Sequence, residues 1–401
     1  MDQAAEPPAR PESLRTTGAL VALSLATFTL VTTESLPVGL LGPIAADLHR
    51  SRSAVGFLVT GYAFTVVAVS LPLAHATKRV PRRHLLVGAL AVFVVGSALG
   101  AAAQSYDVLL ATRMAIAFAH AVFWACVAAT AAALVPPERR GRALGMVFAG
   151  SSLAFVLGVP AITWIGQHTS WRVATLAAAG TGLVALAAIG VLLPTAPPEE
   201  GHATLGAHAS RRRFAIVLIT LALAITGAFA AQTYVTAFLT SASGFSARAI
   251  SPILLAQGLA GVAGVAIAGR WVVRRPRTTM GASVAGLAAS CLALAAGAHV
   301  QVAVVVLLGV FGFSLSGLAI SVQNRVLDTA PGNPEIASAG NSAVFNVGIG
   351  GGALLGGLLL PGLGVRAIDV AGGLLAAAAL AVLLAEGPFV SRGSRAPRGR
   401  A

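Results

Sequence analysis

Long apolar runs constrain this chain more than any other feature of its sequence. Most of them extend over 18 or more residues, and short polar breaks separate them. A run of that length crosses a hydrocarbon core of about 30 Å as a helix that rises about 1.5 Å per residue. Charged residues make up only 10% of the chain, whereas a soluble protein carries about 25%. The sequence therefore predicts an all-α integral membrane protein.

Twelve runs are predicted to span the membrane, in two sets of six. Their ranges are 18–41, 54–76, 85–103, 106–135, 143–166, 173–193, 214–239, 250–272, 279–298, 302–327, 337–360 and 367–384. The stretch 194–213 between the two sets is rich in Pro, Gly, Ala and His, which favours a flexible linker. The predicted domains are an N-terminal tail over 1–17, a six-helix bundle over 18–193, the linker over 194–213, a second six-helix bundle over 214–386, and a basic tail over 387–401.

The distribution of basic residues predicts the orientation. The formal net charge is +14, and all but one of the 27 basic residues are arginines. With the N-terminus in the cytoplasm, 21 of them lie in cytoplasmic segments and five in outer segments. This bias places both termini and the linker in the cytoplasm. It also accounts for the net charge without a nucleic-acid partner.

A weak internal repeat supports the division into two pseudo-symmetric halves. The second predicted helix of each half ends in a basic turn, which reads AHATKRVPRRHLL from Ala74 and AGRWVVRRPRTT from Ala268. Two six-helix bundles in parallel repeat, joined by a linker, are the architecture of many secondary transporters.

Several motifs stand out along the chain. They are TTESLPVGLLGPIAADL over 32–48, KRVPRR over 78–83, Arg113 followed by AHAVFW over 119–124, PPERRGRALG over 136–145, the Gly150, Gly158 and Pro160 pattern, and Trp171 with Arg172. Together these motifs resemble the major facilitator superfamily, most of all its drug and sugar efflux branch of proton antiporters. The resemblance covers nearly the whole chain. It implies the major facilitator fold, a secondary active transporter rather than an enzyme, and a bacterial cytoplasmic membrane location.

The turn between the second and third helices departs from the superfamily pattern. Thr77 and Lys78 stand where an aspartate is usual, and Pro81 stands in place of a glycine. The charge relay that this aspartate serves in many members is therefore in doubt. The basic part of the motif remains in Arg79, Arg82 and Arg83. Together with Arg139, Arg140 and Arg142, these side chains are expected to form a cytoplasmic latch.

Glu34 is the acidic residue that lies deepest within an apolar run, between Thr33 and Ser35. A carboxyl group in that position is costly unless it is paired, protonated or in a wet cavity, and it usually has a function. Pro37 lacks the N–H that would bond to the carbonyl of Thr33, so the helix is predicted to bend beside Glu34. We expect Glu34 to carry a proton; a structural ion pair or a carboxylate reaching the interface is the alternative.

Two residues of the fourth helix are predicted to join Glu34 in proton coupling. Arg113 lies at a similar depth, where it either tunes Glu34 or bonds to backbone carbonyls. His120 follows on the same helix face and is either a second titrating group or a packed side chain.

Substrate contacts are predicted from the polar and aromatic residues within the spans. The candidates are Thr33, Phe123, Trp124, Gln232, Tyr234, Gln257, Gln323, Asn341 and Asn346. Amides suit a neutral, hydroxyl-bearing substrate, and helix–helix hydrogen bonding is the alternative for each. For Phe123 and Trp124 the alternative is core packing. Gly150, Gly158 and Pro160, with Pro37, are expected at the moving interfaces, although plain close packing explains the glycines equally well.

The predicted function is export of a small molecule, such as a sugar, drug or metabolite, in exchange for protons. An importer or facilitator is the runner-up, and a membrane sensor or enzyme is disfavoured because no catalytic motif is present. No Walker-type sequence occurs, so the proton gradient is the expected energy source and no cofactor is expected. The expected partners are the lipid bilayer, protons and the substrate, and the expected state is a monomer.

Overall fold

The computed structural model describes residues 14–77, 79–194, 209–330 and 334–386. The N-terminal tail up to residue 13, Lys78, most of the linker and the basic tail from residue 387 lie outside the described residues. The described residues are almost entirely helical and contain no strand. The predicted all-α membrane fold is confirmed.

The described residues form twelve long helices, α1 to α12. They are α1 Leu14–Glu34, α2 Arg52–Thr77, α3 Arg82–Ala101, α4 Tyr106–Ala133, α5 Arg140–His168, α6 Trp171–Leu192, α7 Arg211–Thr233, α8 Ala247–Val272, α9 Pro276–Gly297, α10 Gln301–Thr329, α11 over 334–363 and α12 over 365–384. The last two are nearly continuous, and only Gly364 between them departs from helical geometry, with φ 77° and ψ 178°. A positive φ favours glycine because it has no Cβ.

Local sequence signals set several helix starts. Ser105, Ser170 and Ser210 accept a hydrogen bond from the backbone N–H three residues later, at the starts of α4, α6 and α7. A serine at this position satisfies one of the N–H groups that a helix leaves free at its start. Pro276 begins α9, where its missing N–H costs nothing.

Two predicted helices end earlier than their apolar runs do. The first was expected to continue to residue 41 but ends at Glu34, and short helices over Leu36–Gly39 and Leu41–Asp47 follow. The reason is Pro37, which cannot extend the backbone ladder. The seventh was expected to reach residue 239 but is interrupted at Tyr234 before the short helix Val235–Ser241. α1 and α7, the first helices of the two bundles, thus break at corresponding places.

The helices form two bundles whose apolar cores are in contact: one buried cluster lies within the first bundle, whereas that of the second bundle also includes Val59 and Ala63 of the first. In the first bundle α3 packs on α4 and α6, and α1 packs on α5 and α6; in the second, α7 packs on α11, and α10 packs on α8 and α9. We call the end that carries residues 79–81, 134–139 and 273–275 the arginine-rich face. The other end, with residues 35–51, 102–105, 234–246 and Gly364, is called the opposite face.

The bundles meet most closely towards the opposite face. Thr236 donates a hydrogen bond of 3.1 Å to the carbonyl of Val38, and Ser251 donates one of 2.8 Å to the carbonyl of Pro160. A buried cluster there combines residues of both bundles, including Leu40 and Tyr234. The structure is therefore a conformation in which the opposite face is held together.

Candidate functional site

The break after α1 leaves two backbone carbonyls without helical partners, and Arg113 of α4 takes both. Its Nη1 donates to the carbonyl of Thr33 at 2.7 Å, and its Nη2 donates to the carbonyl of Glu34 at 3.0 Å. The predicted interruption beside Glu34 is confirmed. Of the two roles that the sequence left open for Arg113, the structure shows the bonding to backbone carbonyls.

Arg113 brings together a group of side chains that we call the polar cluster: Glu34, Tyr62, Arg113, His120 and Trp124. The guanidinium carbon of Arg113 lies 4.7 Å from the ring centre of Tyr62. The His120 ring meets Tyr62 edge-on at 5.4 Å and approaches Trp124 at 5.9 Å. Such contacts between a cation and an aromatic face are attractive, more so where water is excluded.

Several polar atoms of this cluster have no hydrogen-bond partner among the described residues. They are Arg113 Nε, Tyr62 Oη, His120 Nδ1 and Trp124 Nε1. Buried polar atoms are normally satisfied by protein or ordered water. The cluster is therefore suited to binding water or a polar ligand.

Glu34 differs from its neighbours because it is a partly exposed residue, whereas Tyr62, Arg113 and His120 are buried. Among the described residues, its carboxylate forms no ion pair within 4.0 Å. Arg113 holds the backbone of Glu34 and not its carboxylate. The carboxyl group is thus close to a fixed positive charge, is not paired with it, and can exchange a proton with water.

The other candidates of the first bundle occupy different environments. Thr33 is buried and its hydroxyl has no partner among the described residues. Trp124 stacks on Phe148 with ring centres 5.9 Å apart. Phe123 is fully buried in the core of the bundle. Tyr62 is the residue that the sequence reasoning missed; a tyrosine in the middle of an apolar run, in a chain with only three tyrosines, was the available signal.

The amides of the second bundle form two pairs between helices. Gln257 of α8 donates to Gln232 of α7 at 2.8 Å, and Asn341 of α11 donates to Gln323 of α10 at 2.9 Å. These bonds are of the helix–helix kind that was the alternative to substrate binding. The side-chain oxygens of Gln257 and Asn341 nevertheless have no partner among the described residues. Each pair therefore keeps one acceptor for a ligand.

The remaining two candidates of the second bundle are bonded within their surroundings. Asn346 donates to the carbonyl of Ser342 on its own helix at 3.0 Å. Tyr234 is buried, its hydroxyl donates to the carbonyl of Ala353 at 3.1 Å, and its ring packs against Gly56 and Gly357. Tyr234 thus lies where the two bundles meet near the opposite face.

The glycines of α5 allow it to lie directly against α1. A Cβ on Gly150 would come within 2.1 Å of the carbonyl oxygen of Ser24, and one on Gly158 within 2.0 Å of the Thr32 hydroxyl. Between them α5 contains a π-helical turn, Ala154–Gly158. Such turns often occur at functional sites.

The arginines predicted to form a latch lie at the arginine-rich face. Arg82 donates to the carbonyl of Ala129 at 3.2 Å, and Arg83 donates to that of Gly190, both in the first bundle. Arg79, Arg140 and Arg142 are exposed, and Arg139 is partly exposed.

An ion pair on the opposite face fixes the segment that follows Glu34. Arg172 is paired with Asp47, Trp171 donates to the same carboxylate at 3.0 Å, and Arg172 also donates to the carbonyl of Ala103 at 2.7 Å. The hydrogen bond from the Arg172 guanidinium holds the pKa of Asp47 below its ordinary value of 3.8. The segment is thereby attached to the start of α6 and the end of α3.

The structure buries two carboxyl groups that the sequence places at the ends of apolar runs. Glu386 is paired with Arg325, and Arg277 Nε lies 3.8 Å from its other oxygen. Asp369 of α12 is only 4% exposed. Glu34 is therefore not the only carboxyl group within the described helical region, and these two are more deeply buried than it is.

Comparison with known proteins identifies the family. The family model of the Major Facilitator Superfamily matches residues 23–336. The chain belongs to this superfamily. Its fold and its role as a membrane transporter rather than an enzyme follow from that membership, and the predicted resemblance is confirmed.

Individual members of the superfamily agree with this assignment. A curated "Probable sugar efflux transporter" of Helicobacter acinonychis is 34% identical over 359 residues, which cover 89% of this chain and 92% of that protein. A bacterial homologue of the human lysosomal transporter Spinster, solved in an inward-facing and unoccupied conformation, has a TM-score of 0.70 at 13% identity and covers 94% of this chain and 96% of that one. The human organic anion transporter MFSD10 has a TM-score of 0.68 at 16% identity, over 94% of this chain and 100% of that one.

Proposed function

We propose that this superfamily member exports a small hydroxyl-bearing molecule, a sugar or a compound similar to one, in exchange for protons. The observation that carries the proposal is the acidic residue Glu34, partly exposed and without an ion pair among the described residues, beside the buried guanidinium of Arg113. The efflux relative with 34% identity supports the direction and the substrate class. A drug or a metabolite of the host cell is the next class to test.

Glu34 exchanges a proton when its surroundings alternate between wet and dry. A nearby positive charge stabilises the carboxylate, whereas loss of water stabilises the neutral acid. The guanidinium of Arg113 does not form an ion pair with the carboxylate, because it is bonded to the carbonyls of Thr33 and Glu34. Access of water to Glu34 therefore favours release of the proton, and loss of that water favours its binding.

The contacts between the bundles support a transport cycle of alternating access. Hydrogen bonds from Thr236 and Ser251 hold the opposite face together in this structure. Rocking of the bundles would break these bonds and bring the arginine-rich face together. With the arginine-rich face in the cytoplasm, as the basic residues indicate, this conformation is closed to the outside. The exchange would then import protons and export substrate.

The direct test is uptake into inverted membrane vesicles with an imposed proton gradient, acidic inside. A panel of radiolabelled sugars and an amphenicol antibiotic would be compared for wild type, Glu34→Gln and the exposed control Asp107→Asn. Gradient-driven accumulation should occur in wild type and the control and be lost in Glu34→Gln. Substrate counterflow without a gradient should persist in Glu34→Gln, because only the proton step is removed.

Two results would contradict the proposal. Undiminished gradient-driven uptake by Glu34→Gln would exclude Glu34 as the coupling group. Wild-type uptake that never exceeds the external concentration in inverted vesicles, but does so in whole cells, would show that the protein is an importer.

A further inference from the structure

Asp369 is an isolated acid in the interior of the second bundle. It lies on α12, five residues after the break at Gly364, and is only 4% exposed. Side chains of α7, α9 and α10 enclose it, with Leu294, Leu308 and Phe311 among the apolar ones. Its Oδ2 atom has no hydrogen-bond partner among the described residues.

No cation of the described chain neutralises this carboxyl group. Arg366 on the same helix is exposed and forms no ion pair with it within 4.0 Å. The titratable group that faces it from α9 is the thiol of Cys291, while Gln232 is the polar residue that faces it from α7. An unpaired carboxylate in such surroundings is much less stable than the neutral acid.

Asp369 and Gln232 line the same small cavity. The cavity has a volume of about 10 Å³, which is near the least that one water molecule requires. Gln232 is partly exposed, and its side-chain oxygen accepts the 2.8 Å hydrogen bond from Gln257. The amide can therefore hold one water molecule beside Asp369, and that water is the group that can accept or return the proton.

The same location in the first bundle holds a cation. Arg113 lies seven residues after Tyr106 at the start of α4, and Leu308 lies seven residues after Gln301 at the start of α10. α1 and α7, which these residues adjoin, are both broken near the opposite face. The second bundle therefore places a leucine in the position of the arginine and a carboxyl group beside it. Asp369 therefore lacks the neighbouring positive charge that stabilises the carboxylate of Glu34, which favours its protonated form.

We propose that Asp369 is a second proton-binding site, which holds its proton in this conformation and exchanges it with a water molecule that Gln232 positions beside it. The O–H group of the neutral acid donates to the water, and the carboxylate forms when that proton passes to the water. This site is separate from Glu34, and its existence does not depend on the direction of transport.

Infrared spectroscopy of the full-length protein in lipid bilayers tests the proposal directly, because a protonated carboxyl group has a carbonyl stretching band distinct from that of a carboxylate. At neutral pH we expect a carboxylic acid band that shifts when the protein is labelled with ¹³C-aspartate. The band should be lost in Asp369→Asn and retained in Glu34→Gln and in the exposed control Asp107→Asn. Gln232→Leu should shift the band, because it removes the polar neighbour.

If Asp369→Asn does not fold, the ¹³C-aspartate-labelled wild type still shows whether a protonated aspartate is present at neutral pH. Absence of an aspartic acid band at neutral pH, or a band that persists in Asp369→Asn, would overturn the proposal. A band that appears only after sodium and potassium are removed would also overturn it, since the site would then bind a metal ion. Loss of the band in Asp369→Asn together with unchanged sugar transport would leave this proposal intact and separate it from the proposed export function.

Discussion

Arg113 donates to the carbonyl oxygen of Thr33 at 2.7 Å, and that oxygen is the one that Pro37 leaves without a helical donor. The second guanidinium nitrogen bonds to the next carbonyl, that of Glu34, at 3.0 Å. A planar group with two parallel donors matches two successive carbonyls, which the single ammonium of a lysine does not. One arginine therefore completes the backbone of a broken helix and places a positive charge near the only carboxyl group in that helix.

This relationship predicts an energetic coupling between positions 37 and 113. Arg113→Lys should destabilise the protein by about 1–3 kcal/mol, because it leaves a buried carbonyl unsatisfied. Pro37→Ala restores an N–H that can bond to Thr33, so the double variant should lose less than the sum of the two single changes. The coupling should be about 0.5–3 kcal/mol, measured by unfolding of the four proteins in detergent.

Arg50→Lys is the matched control for this cycle. Arg50 is exposed and lies over the ring of Tyr106 at 5.8 Å, so its replacement should have little effect and should combine additively with Pro37→Ala. Strict additivity of Arg113→Lys and Pro37→Ala would show that the two residues do not share the Thr33 carbonyl.

Gly150 predicts a steric limit on the packing of α5 against α1. Alanine there would place its Cβ 2.1 Å from the carbonyl oxygen of Ser24, and because that atom belongs to the backbone, the helices must separate. We expect Gly150→Ala to cost about 1–3 kcal/mol and to lower the melting temperature in detergent. Gly145 on the same helix has nothing within 4 Å, so Gly145→Ala should be neutral or stabilise by up to about 1 kcal/mol. Equal melting temperatures for the two variants would contradict this view of α5.

The Asp47–Arg172 pair predicts a pH-dependent contribution to stability. The Arg172 hydrogen bond lowers the pKa of Asp47 below 3.8, so the folded state favours the carboxylate more than the unfolded state does. The contribution is fully present above pH 3.8 and is lost as the pH falls through the lowered pKa of the folded state. Asp47→Asn should therefore lower the melting temperature slightly at neutral pH, and the difference from wild type should vanish in acid.

The size of this effect is limited by exposure, because the Asp47 side chain is 44% exposed and salt screens such pairs. The difference should accordingly shrink when the salt concentration is raised at neutral pH. A difference between wild type and Asp47→Asn that stays constant from neutral to strongly acid conditions would indicate a packing effect instead.

Some features of the site follow from local properties of the chain and were predictable. Apolar length determines a spanning helix, and the absence of an N–H on Pro37 determines where α1 breaks, wherever the rest of the chain lies. Gly150 and Gly158 could likewise be recognised as packing positions, since small residues let helices approach closely. The break of α7 at Tyr234 has no proline behind it and could not be predicted in this way.

The sequence by itself determined that this chain is a helical membrane protein in two halves, with an acid at a broken first helix. Only the tertiary structure decided that Arg113 binds the carbonyls rather than the carboxylate of Glu34, that Tyr62 joins them, and that Asp369 is enclosed without a cation. The physical reason is that apolar length and missing donors are properties of one segment. Partners of buried polar groups depend on which helix faces meet, and helices that are apolar on every side do not specify those faces.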